Sequence, residues 1–357
     1  MSIKVNANEL FEILKATPDK QNIMLMGKHG IGKSQILTEF FSAQGRKVVP
    51  LFLGQMSDPG DLIGLLHKNE KTGKTEFMPP YWFPTDGQPV VLFLDELNRA
   101  RPEVLQTIMD LALNRTLAGK SLPKGSRIIS AVNNGDEYQL TDLDPALVSR
   151  FNIYEFCPAP REWLLWAQKN SIDKRVIDFI AQNESYLDGD VLDGSMEKSP
   201  DRRAWERVSD IINGVETQAL NDIYKKIVAG IVGAKAAARF FESVKNSRVI
   251  SPSLLLSEDF ESLKSVLATY KTPDFAILND GIFRTLETAR FTDKKSEVAA
   301  KNLRLYFSFL EEKNAREAMA HFANMFAGTG YPNSLMFIIR WAPSLYERIT
   351  KFIMEIR

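Results

Sequence analysis

The chain is 357 residues long, enough at roughly 100 to 200 residues per domain for two or three domains with cores of their own, which excludes a stapled mini-protein. Hydrophobic residues make up 44% and charged residues 25%, ordinary globular values that exclude wholesale disorder. Lys and Arg (45) balance Asp and Glu (45), so a protein that grips nucleic acid mainly through a basic surface is not expected. From the amino end, MSIKVNANELFEILK reads as an amphipathic start without the apolar region of a signal peptide. Five β-rich runs follow, Asn22–Met26, Lys47–Leu53, Pro89–Leu94, Ser126–Val132 and Phe151–Phe156, alternating with helical patterns. Their near-continuous hydrophobicity predicts a parallel five-stranded sheet covered on both faces, an α/β core over residues 1–158. Two hairpins are expected inside it. One is Leu65–Phe77, turning at Asn69–Lys74, and the other is Leu117–Ile128, around Ala118-Gly119-Lys120 and Pro123-Lys124-Gly125.

Past Pro158 and Pro160 strand-like runs vanish, and helices are predicted over Glu162–Asn170, Asp173–Asn183, Arg203–Ile212 and Ile223–Lys245, with a loop at Asp188–Pro200. These make a helical region over 159–250. From Ser251-Pro252 a second helical segment, 251–357, is clearest at Ser296–Glu312 and Ala315–Phe326. The lone Cys157 and the scattered His29, His67 and His321 rule out a disulfide framework and a Cys-based zinc site and fit a reducing, cytoplasmic setting. Cys157 itself reads as a small buried residue. Val90–Leu94, among the longest apolar runs, is far short of the roughly 20 residues of a membrane span, so no membrane insertion is expected.

The first strand runs straight into Gly27-Lys28-His29-Gly30-Ile31-Gly32-Lys33-Ser34, which fits GxxxxGK[ST] in its required context of strand, loop and helix. Phosphate needs several donors at once. Glycines 27, 30 and 32 let backbone amides converge, the helix opening at Lys33 adds its positive end, Lys33 reaches the β- and γ-phosphates, and the Ser34 hydroxyl can ligate Mg2+. Some 60 residues on, the third strand ends in Asp95-Glu96, at the carboxyl end of a strand where open α/β sheets bind ligands. Asp95 is placed to hold Mg2+ through water and Glu96 to polarise an attacking water.

With these motifs on residues 20–245, the chain resembles the AAA+ ATPases, within them the MoxR-like and dynein-related group. Gly27–Ser34 matches its Walker A motif, and Leu92–Ala100 (LFLDELNRA) looks like its Walker B with the trailing Asn-Arg. Ser57–Gly64 and Pro79–Pro84 are also similar to group members. Ala131-Val132-Asn133 resembles sensor 1, where Asn133 would orient the water without adding negative charge. Asp144–Phe151 (DPALVSRF) resembles the segment whose arginine, here Arg150, serves as a finger to a neighbouring subunit; the local alternative is an ion pair with Asp142 or Asp144. Ser199–Val208 (SPDRRAWERV) is similar to the Pro-Arg-x-Trp pattern of sensor 2. Counting back from Trp205 selects Arg203, with Arg202 the alternative.

The resemblance implies a P-loop NTPase core, a helical lid over 159–250 and a helical C-terminal extension over 251–357. It implies ATP and Mg2+ as ligands and a ring, as a hexamer, that remodels a protein partner, one with a von Willebrand A domain. The two hairpins would face the pore or the substrate. The alternative is the motor of a McrB-like nucleic-acid machine, to which Asn133-Asn134-Gly135-Asp136 bears a faint likeness as a guanine reader; no basic tract accompanies it. Tyr81 and Trp82 are expected to pack on the sheet.

Overall fold

The computed structural model describes residues 2–133, 143–189, 198–246 and 249–356. The chain divides into two compact units, Met1–Ala159 and Pro160–Arg357.

In chain order, the first unit holds β1 (Lys4–Val5), α1 (Ala7–Ala16), β2 (Asn22–Gly27), α2 (Lys33–Ser42), β3 (Lys47–Phe52) and α3 (Gly60–Ile63). Next come β4 (Leu65–Lys68), β5 (Thr75–Met78), β6 (Val90–Asp95), α4 (Pro102–Asn114), β7 (Thr116–Leu117) and β8 (Lys120–Ser121). β9 (Arg127–Asn133), α5 (Pro145–Val148) and β10 (Phe151–Phe156) complete it. The main sheet runs β1-β10-β2-β9-β6-β3 and is parallel throughout. All five expected strands form, within a residue or so at their ends, and a sixth, β1, adds itself at the edge. Two residues paired with Glu155 and Phe156 are too short a run to carry a periodic signal.

Strand position explains strand composition. β9 is buried along its whole length and β6 at every residue but Asp95, because neighbours and helices cover both faces. One face packs Leu92, Leu94, Ile108 and Leu111 into a core with α4; the other packs Leu10, Leu25, Leu37 and Phe93 with α1 and α2. The hairpin expected over 65–77 forms as β4 with β5, whereas the one expected over 117–128 is confined to 116–121, β7 with β8, because the chain from Arg127 joins the main sheet as β9. Trp82 packs into the core as expected, but Tyr81 is 97% exposed: the turn that seats one ring leaves its neighbour outward. Cys157 is exposed, not buried, because it follows the last residue of β10, where the chain leaves the sheet.

Every regular element among the second unit's described residues is a helix. Its elements are α6 (Pro160–Lys169), α7 (Lys174–Gln182), α8 (Arg202–Ile212), α9 (Asp222–Val232), α10 (Ala234–Asn246), α11 (Pro252–Ser257) and α12 (Phe260–Ala268). α13 (Thr272–Thr288), α14 (Asp293–Glu312), α15 (Arg316–Ala327), α16 (Pro332–Trp341) and α17 (Pro343–Ile356) follow. The helix expected over 223–245 is two helices, broken at Gly233, whose φ is +87°. A Cβ there would lie 2.2 Å from the Lys198 carbonyl oxygen, so only glycine admits this close pass. Two separate apolar cores result, one around Trp205, Phe179 and Phe240 and one around Phe283, Tyr306 and Phe322. Among the described residues no helix is long and apolar enough to cross a membrane.

Candidate functional site

The strand order brings the motifs together. β9 lies between β2 and β6, so the end of β9 separates the strand that feeds the phosphate loop from the strand that ends in the acid pair. Register completes the arrangement: Gly27, last in β2, pairs with Asn133, last in β9.

The loop turns on Gly30 and Gly32, with φ of +73° and +96°, values that a side chain would penalise. Gly27 lies so close to the Phe156 carbonyl that a Cβ would sit 3.1 Å from its oxygen. Lys28 and His29 are exposed at the crest of the loop, and Ile31 packs partly into the α1–α2 core. Gly32 precedes α2 without a capping side chain, which leaves the amides of the first turn and the positive end of a ten-residue helix facing the loop. Lys33 is 6% exposed. Its Nζ donates to the Gly27 carbonyl at 2.8 Å, the Lys28 carbonyl at 2.9 Å and Asn133 Oδ1 at 2.9 Å. The ammonium is thus fixed inside the loop, and the Asn133 amide is turned with its oxygen to Lys33, leaving its NH2 end to meet an acceptor.

The Ser34 hydroxyl donates to Asp95 Oδ2 at 3.1 Å. A hydroxyl and a carboxylate side by side are hard oxygen ligands of the kind Mg2+ takes alongside several waters, so the donor set fits that ion. The deeply seated lysine, the two left-handed glycines and the helix start equally fit a triphosphate. Asp95 Oδ1 also accepts the Glu96 backbone N–H at 3.0 Å. Glu96 has φ +54°, a left-handed conformation uncommon outside glycine. It opens a single 3-10 turn, Leu97–Arg99. The Glu96 carboxylate accepts from Arg99 Nη1 at 2.8 Å and lies beside Gly54, where a Cβ would sit 3.0 Å from Oε2. Arg99 carries no signal of its own in the sequence beyond its place in the motif.

Arg150 follows α5 and is half-buried. Its guanidinium donates to the Ala146 carbonyl, and Asp144 is used to cap α5 by accepting the Ala146 N–H at 2.7 Å. Asp142 lies outside the described residues, as do Asn134, Gly135 and Asp136. In the second unit Arg202 is 7% exposed and holds Asp188, Nη2 to Oδ2 at 2.9 Å, whereas Arg203 is exposed on the first turn of α8. Within the first unit, then, the fold brings together the phosphate loop, Asp95, Glu96 and Asn133.

The family described as the AAA domain (dynein-related subfamily) matches residues 22–151. A candidate chaperone, BssE of Thauera aromatica, is 26% identical over 175 residues, covering 46% of this chain. The match spans 59% of that relative's length. Among solved structures, a candidate ATPase from Cytophaga hutchinsonii aligns at 13% identity and a TM-score of 0.32, over 90% of this chain and 77% of its own. NtrX of Brucella abortus aligns at 13% identity and 0.36, over 69% of each chain. From residue 22 to residue 151 the chain is thus an AAA+ ATPase domain of the dynein-related subfamily.

Proposed function

We propose that the chain is a MoxR-like ATPase that assembles into a hexameric ring and uses Mg-ATP hydrolysis to remodel a protein partner. The observation that carries this reading is the joint placement of Lys33 and Ser34 at the start of α2 with Asn133 and Asp95 at the ends of β9 and β6. Residues 1–158 are then the nucleotide-binding core, 159–250 the lid and 251–357 an extension. Similarity to a candidate chaperone supports a protein client, for which a von Willebrand A domain is our choice, and we place the work in the cytoplasm.

In this mechanism Lys33 and the loop amides from Gly27 to Ser34 bind the triphosphate and hold its terminal phosphate in line. Ser34, and Asp95 through water, would hold Mg2+, which when bound would supply charge neutralisation on the triphosphate. Glu96 takes the proton of the attacking water, and the NH2 end of Asn133 orients that water against the γ-phosphate. Arg150 stabilises charge on the γ-phosphate held by the adjacent subunit, and Arg203 is the sensor 2 arginine of the lid.

The test uses three variants. Glu96→Gln should bind ATP normally but lose turnover by about 10²- to 10⁴-fold; undiminished hydrolysis would overturn the assignment. Arg150→Ala should be nearly inactive alone and regain activity when mixed with Lys33→Ala, since each supplies what the other lacks. Failure to recover would exclude a finger acting between subunits, and a salt-sensitive shift of duplex DNA would favour the nucleic-acid motor instead.

A further inference from the structure

The 3-10 turn after the acid pair carries a residue that the reaction scheme leaves without a role. Asn98 is 2% exposed, next to Leu97 at 0% and two residues before Ala100 at 1%, both members of the α4-side core. A primary amide is costly in such a place unless its hydrogen bonds are made. Among the described residues Asn98 makes one of them. Its Nδ2 donates to the Asn133 carbonyl at 3.2 Å, while its Oδ1 is buried without a partner among the described residues.

An apolar residue of the same shape would avoid that unpartnered oxygen and would serve the core better. What the amide does instead is tie the turn that follows β6 to the last residue of β9. Asn133 is held from three sides. Its backbone pairs in register with Gly27, its carbonyl accepts from Asn98, and its side-chain oxygen accepts from Lys33. The first and third of these come from the phosphate loop and its strand, and the second is the tie from the acid-bearing strand.

We infer that Asn98 is a positioning residue for ATP hydrolysis, holding the main chain of Asn133 so that its side-chain amide stands between Lys33 and the acid pair. This rests on the reading of Asn133 as the group that orients the water. A displacement of the Asn133 backbone swings the NH2 end of its amide through a comparable distance, and misplacement by about 1 Å can cost 10²-fold in rate. Residues that orient a reacting group through one intervening contact have effects of about 10- to 100-fold on activity.

The experiment compares Asn98→Leu with Asn98→Asp, each alone and in an Asn133→Ala background, by steady-state ATP turnover and thermal unfolding of the full chain. Asn98→Leu keeps the number and branching of the heavy atoms, removes the donor and also removes the unpartnered oxygen. It should hold or raise Tm, lower kcat by about 10- to 100-fold, and leave the KM for ATP within about threefold. Asn98→Asp keeps the shape but replaces the donor with an acceptor facing a carbonyl, and it should lose kcat as well; it decides the matter if the leucine variant folds poorly. In the Asn133→Ala background either substitution should change kcat by less than about twofold, because the effect passes through Asn133. A purely structural role would lower Tm and spare kcat. That result overturns the inference, as does a kcat loss of the same size whether or not Asn133 is present. If Asn133→Ala alone leaves kcat intact, the assignment of Asn133 falls and this inference with it; if Asn133→Ala lowers kcat and neither Asn98 variant does, only the role of Asn98 falls.

Discussion

Gly64 shows how one residue decides whether a surface element stays attached. It joins α3 to β4 with φ +88°, and a Cβ at this position would lie 1.9 Å from the Met78 carbonyl oxygen. Backbone, not a flexible side chain, blocks the space, so alanine cannot be accommodated by local adjustment. Strain at left-handed φ together with this overlap should cost at least about 2 kcal/mol, or roughly thirtyfold in the opening of the β4–β5 hairpin. The expected readout for Gly64→Ala is faster proteolysis within residues 65–78 at nearly unchanged global Tm. A cleavage rate equal to that of the parent would show that the segment relaxes elsewhere. The hairpin carries Leu65, Leu66 and Met78, which are 75%, 62% and 54% exposed, so its detachment should not expose a core that the sheet depends on.

At the scale of elements, strands were legible because each is a buried hydrophobic run bounded by turn residues, and the phosphate loop was legible because its spacing is constrained by the anion it wraps. What escaped the sequence is of two kinds. β1 is two residues long and is defined by its partner β10, not by its own pattern. The break between α9 and α10 depends on Lys198, 35 positions away from Gly233, a contact no local periodicity encodes. The site divides the same way: Lys33, Ser34 and Asp95 could be assigned from spacing, whereas the Arg99 pair to Glu96 needs the left-handed turn at Glu96 to close. α5 makes the same point for function. It is four residues long, too short to be stable by propensity, and is held by Pro145 at its start and by the Asp144 cap. Asp144→Ala should cost about 1 kcal/mol of local helix stability and, on the finger role proposed for Arg150, reduce ATPase activity by roughly fivefold by fraying the element that precedes it. Asp144→Asn, which preserves a capping oxygen, should retain most of it. Equal activity of the alanine and asparagine variants would remove the link between cap and finger.

For the whole molecule, zero net charge conceals a distribution in which charges are buried in pairs. The second unit has two apolar cores, and a polar contact joins the helices that carry them. Arg284 on α13 reaches Asp178 on α7 at 3.3 Å, with side chains 3% and 13% exposed. Lys174, one turn before Asp178, holds the same carboxylate at 2.5 Å. Asp280 sits one turn before Arg284; burial pushes its carboxyl above the ordinary value, against the pull of His321 and Arg284. Removing one member of a buried ion pair usually costs about 3 to 5 kcal/mol, because a charge is left without compensation. Here Lys174 remains for Asp178, so Arg284→Met should cost less, about 2 kcal/mol. Asp178→Asn leaves the arginine beside Asp280 and should likewise be tolerated better than an isolated buried cation. The double variant should therefore fall short of the sum of the two singles by about 1 to 3 kcal/mol. Calorimetry reads the architectural consequence. Residues 160–357 should unfold in one transition in the parent, and weakening this contact should split it into two, one for each core. A single transition that only shifts to lower temperature in Arg284→Met would mean that apolar packing of α13 on α6 and α7 alone makes the two cores one cooperative unit.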